Sequence, residues 1–315
     1  MKAWQAVMGV VLGLCLILGA VWFVFFRTDD GIGTSKPPAR QKGALRLATF
    51  NIEGLFGPGS ETPSSEAHLT TIADAIQAID ADILALQDVE SLETVEWFRE
   101  AYLPDMGYEH IVSLDVGHKR GIENALLSRH PIETSRVWKS LKLGGKHPTT
   151  AGGEPNPYAS QPIRFRRSPL MVKLTLPADD TRNGNPLTLF VLEHKGGDRF
   201  DYWREAEAKA IVRLAHAVGM SEPIIILGSF HTAPTDAAMQ TYLAGGFMDA
   251  IGVDSESTRW ATETSGDRTD YILTNRVAMS IVDPNTGFVL GGDLASLQRE
   301  TTHLPLVVGI QLQQE

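Results

Sequence analysis

Residues 224–234 read IIILGSFHTAP. Four aliphatic residues run into a glycine and then a short polar turn. A buried strand delivers side chains to a site at its C-terminal end in this way. A site built for phosphate chemistry calls for an acid and an amide in such a turn. This chain carries Ser229 and His231 there.

The same pattern recurs along the chain. Asn51 follows LATF, Gln87 and Asp88 follow ILAL, and His194 follows LFVLE. Asp270 precedes YIL, and His303 precedes LPLVV. In a layered fold such strand ends converge on one rim. The two carboxylates, the Asn51 amide and three imidazoles would then suit a divalent cation that polarises a phosphoryl oxygen. Each residue alone has a plainer reading. Strand-end Asn and Asp serve turns and caps, His194 fits a satisfied core histidine, and Thr301-Thr302-His303 can simply open a strand.

Between the strands lie amphipathic segments. SSEAHLTTIADAIQAID has Ser64 or Ser65 as its N-cap and Leu69, Ile72, Ala73, Ile76 and Ile79 at helical spacing. SLETVEWFREAYL and DYWREAEAKAIVRLAHAVG read as further helices. Strand pairs between long helices predict two sheets covered by helices, not a simple alternation. Gly144 to Gln161 is long for a connection in a compact domain, so it reads as a substrate-facing loop or a mobile insertion.

The chain has 315 residues, 43% hydrophobic, and a net charge of −10. That balance argues against a broad basic face for nucleic acid, while a local basic groove stays compatible. Its one cysteine, Cys15, excludes an intrachain disulfide. Trp4 to Phe26 carries no charge, and as a helix it spans roughly 30 Å of hydrocarbon. It exceeds the ~7–15 residues of a signal-peptide core, so residues 4–26 are predicted to be an uncleaved transmembrane signal anchor. Residues 27–43 read as a flexible linker and 44–313 as the folded domain. The expectation is a single-pass membrane protein with its domain outside the cytoplasm.

The segments LRLATFNIEGLF, ADILALQDVE, RGIENALLSRHPI, FRRSPLMVKL, LFVLEHK, IIILGSFHTAP, DRTDYIL and TTHLPLVV occur in this order. The order resembles that of the endonuclease/exonuclease/phosphatase superfamily. The resemblance implies a four-layer αββα sandwich of two packed mixed β-sheets flanked by helices, and metal-dependent phosphoester hydrolysis. It implies metal and phosphate roles for Asn51, Asp88 and Asp270, and phosphate contacts for Arg167 and Ser229. It implies catalytic roles for His194, His303, Asp270 and Arg167. The cofactor it implies is Mg²⁺ or Mn²⁺; the three histidines His194, His231 and His303 also suit Zn²⁺. The implied partner is a phosphoester, either nucleic acid or a phosphorylated lipid or inositol.

The departures fall on chemistry. The superfamily's G-D-F-N is Gly228-Ser229-Phe230-His231 here, its S-D-H is Thr301-Thr302-His303, and its metal-binding Glu is Asp88. A serine is a poor base, and loss of a positioned base costs ~10²–10⁴ in rate. Loss of the acid at 302 is expected to leave His303 less cationic. Two readings follow. In one, a retuned phosphoesterase uses His231 as substitute base or ligand, with Glu53 or Asp236 as a nearby carboxylate. In the other, a catalytically impaired relative binds a phosphorylated ligand or a protein.

Overall fold

The computed structural model describes residues 32–177, 184–251, 258–291 and 296–311. In chain order the strands of the main sheets are β1 (Ala44–Leu55), β2 (Ile83–Val89), β3 (His110–Ser113), β4 (Glu123–Ser128), β5 (Ile132–Arg136) and β6 (Leu170–Leu176). They continue with β7 (Asn185–Glu193), β8 (Ile224–Ser229), β9 (Phe247–Asp249), β10 (Asp270–Asn275), β11 (Val282–Val289) and β12 (Leu306–Gln311). Among the described residues they form two six-stranded sheets, ordered β11-β12-β1-β2-β4-β3 and β9-β10-β8-β7-β6-β5.

Each sheet has one parallel pair at its centre, β1 with β2 and β7 with β8, and antiparallel strands around it. A parallel pair puts both C-terminal ends on one edge. Their antiparallel neighbours, β12 and β10, bring N-terminal ends to that same edge. This topology gathers the strand-end polar residues at one rim.

Helices cover the sheets. Helix α1 (Glu66–Ile79) is capped by Ser65, which accepts from the His68 amide, and it buries Leu69, Ile72, Ala73, Ile76 and Ile79. Ser64 instead accepts from the Phe56 amide. Helix α2 (Leu92–Tyr102) buries Val95 and Phe98. On the other sheet, α3 (Asp201–Val218) and α4 (Ala237–Ala244) seat Trp203, Ile211, Met239 and Tyr242 against Phe190, Leu192, Ile224 and Ile226. The side chains between the sheets, among them Leu189, Val191, Ile225, Leu227 and Ile272, join the larger core. The result is an α+β sandwich of two mixed sheets flanked by helices.

Three expectations change. No helix among the described residues is long and apolar enough to cross a membrane. The membrane location is corrected on that finding, and segment 4–26, from which it was read, lies outside the described residues. Residues 32–43 are tied down where a flexible linker was expected: Thr34 pairs with Val289 and Gly291, and Arg40 bonds Asp82 at 2.7 Å. The stretch 144–161 is neither a bare loop nor free. It forms small hairpins and docks on α3, with the His147 ring 4.4 Å from Trp203 and its Nδ1 2.8 Å from the Tyr202 hydroxyl.

Candidate active site

Strand alternation decides which side chains enter the rim. In β7, Leu187, Leu189 and Val191 face the other sheet, while Phe190 and Leu192 face the helices. Glu193 therefore turns inward and His194 outward. In β8, Ile225 and Leu227 are inward, so Ser229 follows them, Phe230 enters the helix-side core, and His231 returns to the rim. Phe230 is locked edge-on against Tyr242 and Tyr271. His231 has φ +47°, a left-handed conformation that His adopts more readily than most residues.

A continuous hydrogen-bonded chain crosses between the sheets. Asn51 Nδ2 donates to Ser229 Oγ at 3.1 Å, Ser229 Oγ donates to Asp270 Oδ1 at 2.5 Å, and His303 Nδ1 lies 2.8 Å from Asp270 Oδ2. Asn51 Oδ1 accepts from the Glu53 amide. All four side chains are buried. Burial opposes charge on His303, but the Asp270 carboxylate, by its charge and its hydrogen bond, overrides this and raises the imidazole to about 9. Burial likewise disfavours the Asp270 anion, and His303 and the Ser229 hydroxyl more than compensate, holding the carboxyl below its usual range. The expectation that His303 would be less cationic without an acid at 302 is thus corrected. Its partner is Asp270. Thr302 serves elsewhere, donating through N and Oγ1 to the Glu53 carboxylate at 2.7 and 2.6 Å.

A second chain centres on Arg167. Its Nη2 lies 2.8 Å from Asp88 Oδ1 and its Nη1 contacts Glu193 Oε1, which is also 3.5 Å from His231 Nε2. The Asp88 contact is close but misaligned, so Asp88 Oδ1 has no hydrogen bond. Arg167 Nε, Glu193 Oε2, Gln87 Nε2, Asn124 Oδ1 and His118 Nδ1 are also buried without a partner. Buried polar atoms are rarely left so; here they gather at one end of the sandwich. Burial, with the nearby Arg167 and Arg166 cations, pushes His118 down to about 3. Burial also lowers Lys195 to about 8, with Arg166 adding to the effect. Burial and the His303 charge hold His231 well below the usual imidazole range, although 22% of its side chain stays accessible at the mouth.

His194 does not join this rim. Its Nδ1 lies 3.0 Å from Glu207 Oε2 and its Nε2 2.8 Å from the Tyr242 hydroxyl. The alternation of β7 is the physical reason, and the expected placement of His194 at the site is corrected. Buried Glu207 also accepts from the backbone amides of Arg166 and Lys195 at 2.7 and 3.0 Å, so it fixes both cation-bearing loops from behind. Asp236 is taken up in its own turn by Thr232 and Ala233.

Sequence reasoning missed Glu193, His118 and Glu263. Glu193 was legible from the period of two along LTLFVLE. Glu263 has no such signal: it reaches the rim through one antiparallel bridge to His303, fixed by Thr264 N to Thr302 O at 2.9 Å and Leu304 N to Thr262 O at 2.7 Å. Ligand atoms of His231, Glu263 and His303 lie within 4.8 Å of one another.

The residues expected to hold Mg²⁺ or Mn²⁺ do not fit that ion. Mg²⁺ demands near-octahedral oxygen ligands at ~2.0–2.1 Å. Asn51 Oδ1 already accepts from a backbone amide, and the two Asp270 oxygens are engaged by Ser229 and His303, so an all-oxygen octahedron would have to share or displace those partners. Asp88 faces a guanidinium. Ser229 is buried and already donates to Asp270, so it cannot take a proton from water.

A family model described as the Endonuclease/Exonuclease/phosphatase family matches residues 48–296. The chain belongs to this family. Within the Endonuclease/Exonuclease/phosphatase family the fold is recognisable at low identity. The human Nocturnin catalytic domain, solved with a bound sulfate anion, is 18% identical with a TM-score of 0.60, over 89% of this chain and 100% of that one. An endonuclease/exonuclease/phosphatase from Bacteroides vulgatus is 17% identical with a TM-score of 0.59, over 86% and 100%. D. rerio TDP2, solved with a single-strand DNA product, is 14% identical with a TM-score of 0.58, over 85% and 99%. At such identities the likeness speaks for fold alone. No curated protein matches the chain in sequence.

Proposed function

We propose that this member of the Endonuclease/Exonuclease/phosphatase family binds a phosphoester at the rim and has lost carboxylate-held Mg²⁺ hydrolysis. One observation carries the reading: Arg167 bridges Asp88 and Glu193, so the acid expected to grip the metal is matched to a cation. Arg167 is shared by Asp88 and Glu193, and the His303 cation is matched by Asp270, so the cations left to meet a phosphate beside the bridge are Arg166 and Lys195. Such charge attracts phosphate oxygens. The ligand class is a phosphate ester, whether of a nucleic acid or of an inositol. Two structural neighbours were solved with ligands of this anionic class, a sulfate anion and a single-strand DNA product.

The test is equilibrium binding of a labelled 5′-phosphorylated single-stranded oligonucleotide, and of inositol hexakisphosphate as competitor, to the full chain in EDTA. Binding is expected to weaken with salt and to fall about tenfold in Lys195→Ala, the scale of one charge-assisted hydrogen bond. Salt-insensitive binding, or none, overturns the reading. A second reading, hydrolysis of such esters around a relocated metal, is favoured by the spacing of His231, Glu263 and His303.

A further inference from the structure

His231, Glu263 and His303 come from three separate segments, the turn after β8, the loop before β10 and the approach to β12. His303 and Glu263 are each held by a hydrogen-bonding partner, and His231 is set by its left-handed turn. We propose that these three side chains form a site for a divalent transition metal of the Zn²⁺ class, with two imidazole nitrogens, one carboxylate and an open fourth position. The choice of metal follows from the donors. Imidazole with a carboxylate suits Zn²⁺ and its neighbours, whereas Mg²⁺ and Ca²⁺ prefer all-oxygen sets. Three protein ligands with one side accessible is the arrangement of a metal that also takes an exogenous ligand.

The outer partners are in place. Asp270 Oδ2 holds His303 Nδ1 at 2.8 Å, which leaves Nε2 as the ligand nitrogen. A carboxylate behind a histidine fixes its ring and raises its basicity toward a metal. Asp270 is itself fixed by the Ser229 hydroxyl at 2.5 Å. Glu263 Oε1 accepts from the Thr269 hydroxyl at 2.6 Å. The serine that stands where the sequence called for an acid thus buttresses the orienting carboxylate. Ligands at ~2.0–2.1 Å from a tetrahedral ion sit roughly 3.4 Å apart, so the group must draw together slightly. His231 and Glu263 are both only partly buried, which leaves them room to do so.

The site shares the rim with the phosphoester reading, and a metal on His303 Nε2 displaces the proton there; the two are told apart because metal binding is measured with no phosphate present. The experiment titrates the chelator-stripped full chain with Co²⁺, follows the visible d–d bands, and then displaces Co²⁺ with Zn²⁺. One Co²⁺ per chain is expected, with the intense bands of low-coordinate cobalt. Glu263→Gln and His231→Asn are each expected to weaken it by more than ~100-fold. Asp270→Asn, which removes an outer partner, should cost ~10–100-fold. Zn²⁺ should raise the Tm of the wild-type chain and leave that of Glu263→Gln unchanged. Glu263 is partly exposed, so its isosteric change leaves the fold intact. A wild-type chain without these bands overturns the proposal, as does a Glu263→Gln chain with wild-type Co²⁺ affinity and spectrum.

Discussion

Asp270→Asn removes the charge that holds a proton on His303 while keeping the shape of the pair. In the folded chain the imidazole is raised from 6.5 to about 9. At ~1.4 kcal/mol per tenfold change in proton affinity, that difference is worth about 3 kcal/mol. A group whose folded pKa lies above its unfolded one stabilises fully below the unfolded value, and that stabilisation fades as pH rises through the folded value. The wild-type chain should therefore lose about 3 kcal/mol from this pair between pH 6.5 and about 9. Lys195, lowered from 10.5 to about 8, titrates in an overlapping window with the opposite sign, so the measurement is the gap between wild type and Asp270→Asn, in which Lys195 cancels. Urea unfolding across that range should show the gap narrowing by about 3 kcal/mol as pH rises. Imidazole NMR should place His303 near pH 9 in the wild type and at 6.5 or below in the variant. A gap that does not change with pH, or a wild-type His303 titrating near 6.5, would refute the pairing.

Arg167→Met should leave the half-buried Asp88 and the buried Glu193 facing each other without a cation, at about 3 kcal/mol of stability by urea unfolding; a loss below about 1 kcal/mol would mean the bridge is idle. His194→Ala should cost about 2–4 kcal/mol by opening a cavity and stranding the buried Tyr242 hydroxyl, while Glu207 keeps its bonds from the Arg166 and Lys195 amides. The same variant should leave oligonucleotide affinity unchanged, and a stable variant with lost affinity would return His194 to the site. Gly228→Ala should cost upwards of about 3 kcal/mol: a Cβ there would sit 1.9 Å from the Leu192 carbonyl oxygen, at φ +137°. Wild-type stability in thermal melts would contradict the close approach of β7 and β8.

Much of the fold was legible because period and capping agree locally. The five apolar positions of α1 are all buried, and the strands that end in polar residues do meet at one rim. What escaped was governed by partners distant in sequence. His303 was read with its neighbour at 302, yet its proton is held by Asp270, which the chain brings from across the rim. Ser229 looks like a missing base until Asn51 and Asp270 close on it from either side. Glu263 lies in a loop without periodicity and is placed by a single bridge. His194 is the instructive error. The alternation in its own strand turns it toward the helices, and a resemblance to a family histidine outweighed that local rule.

On the proposed reading, Arg167 takes the place of a metal ion in front of Asp88. Phosphodiester turnover by the full chain, with bis-p-nitrophenyl phosphate in saturating Mg²⁺ and then Mn²⁺, tests it most directly. The expected result is no rate above the metal-free blank. A Mg²⁺-dependent rate that disappears in Asp88→Asn would contradict it.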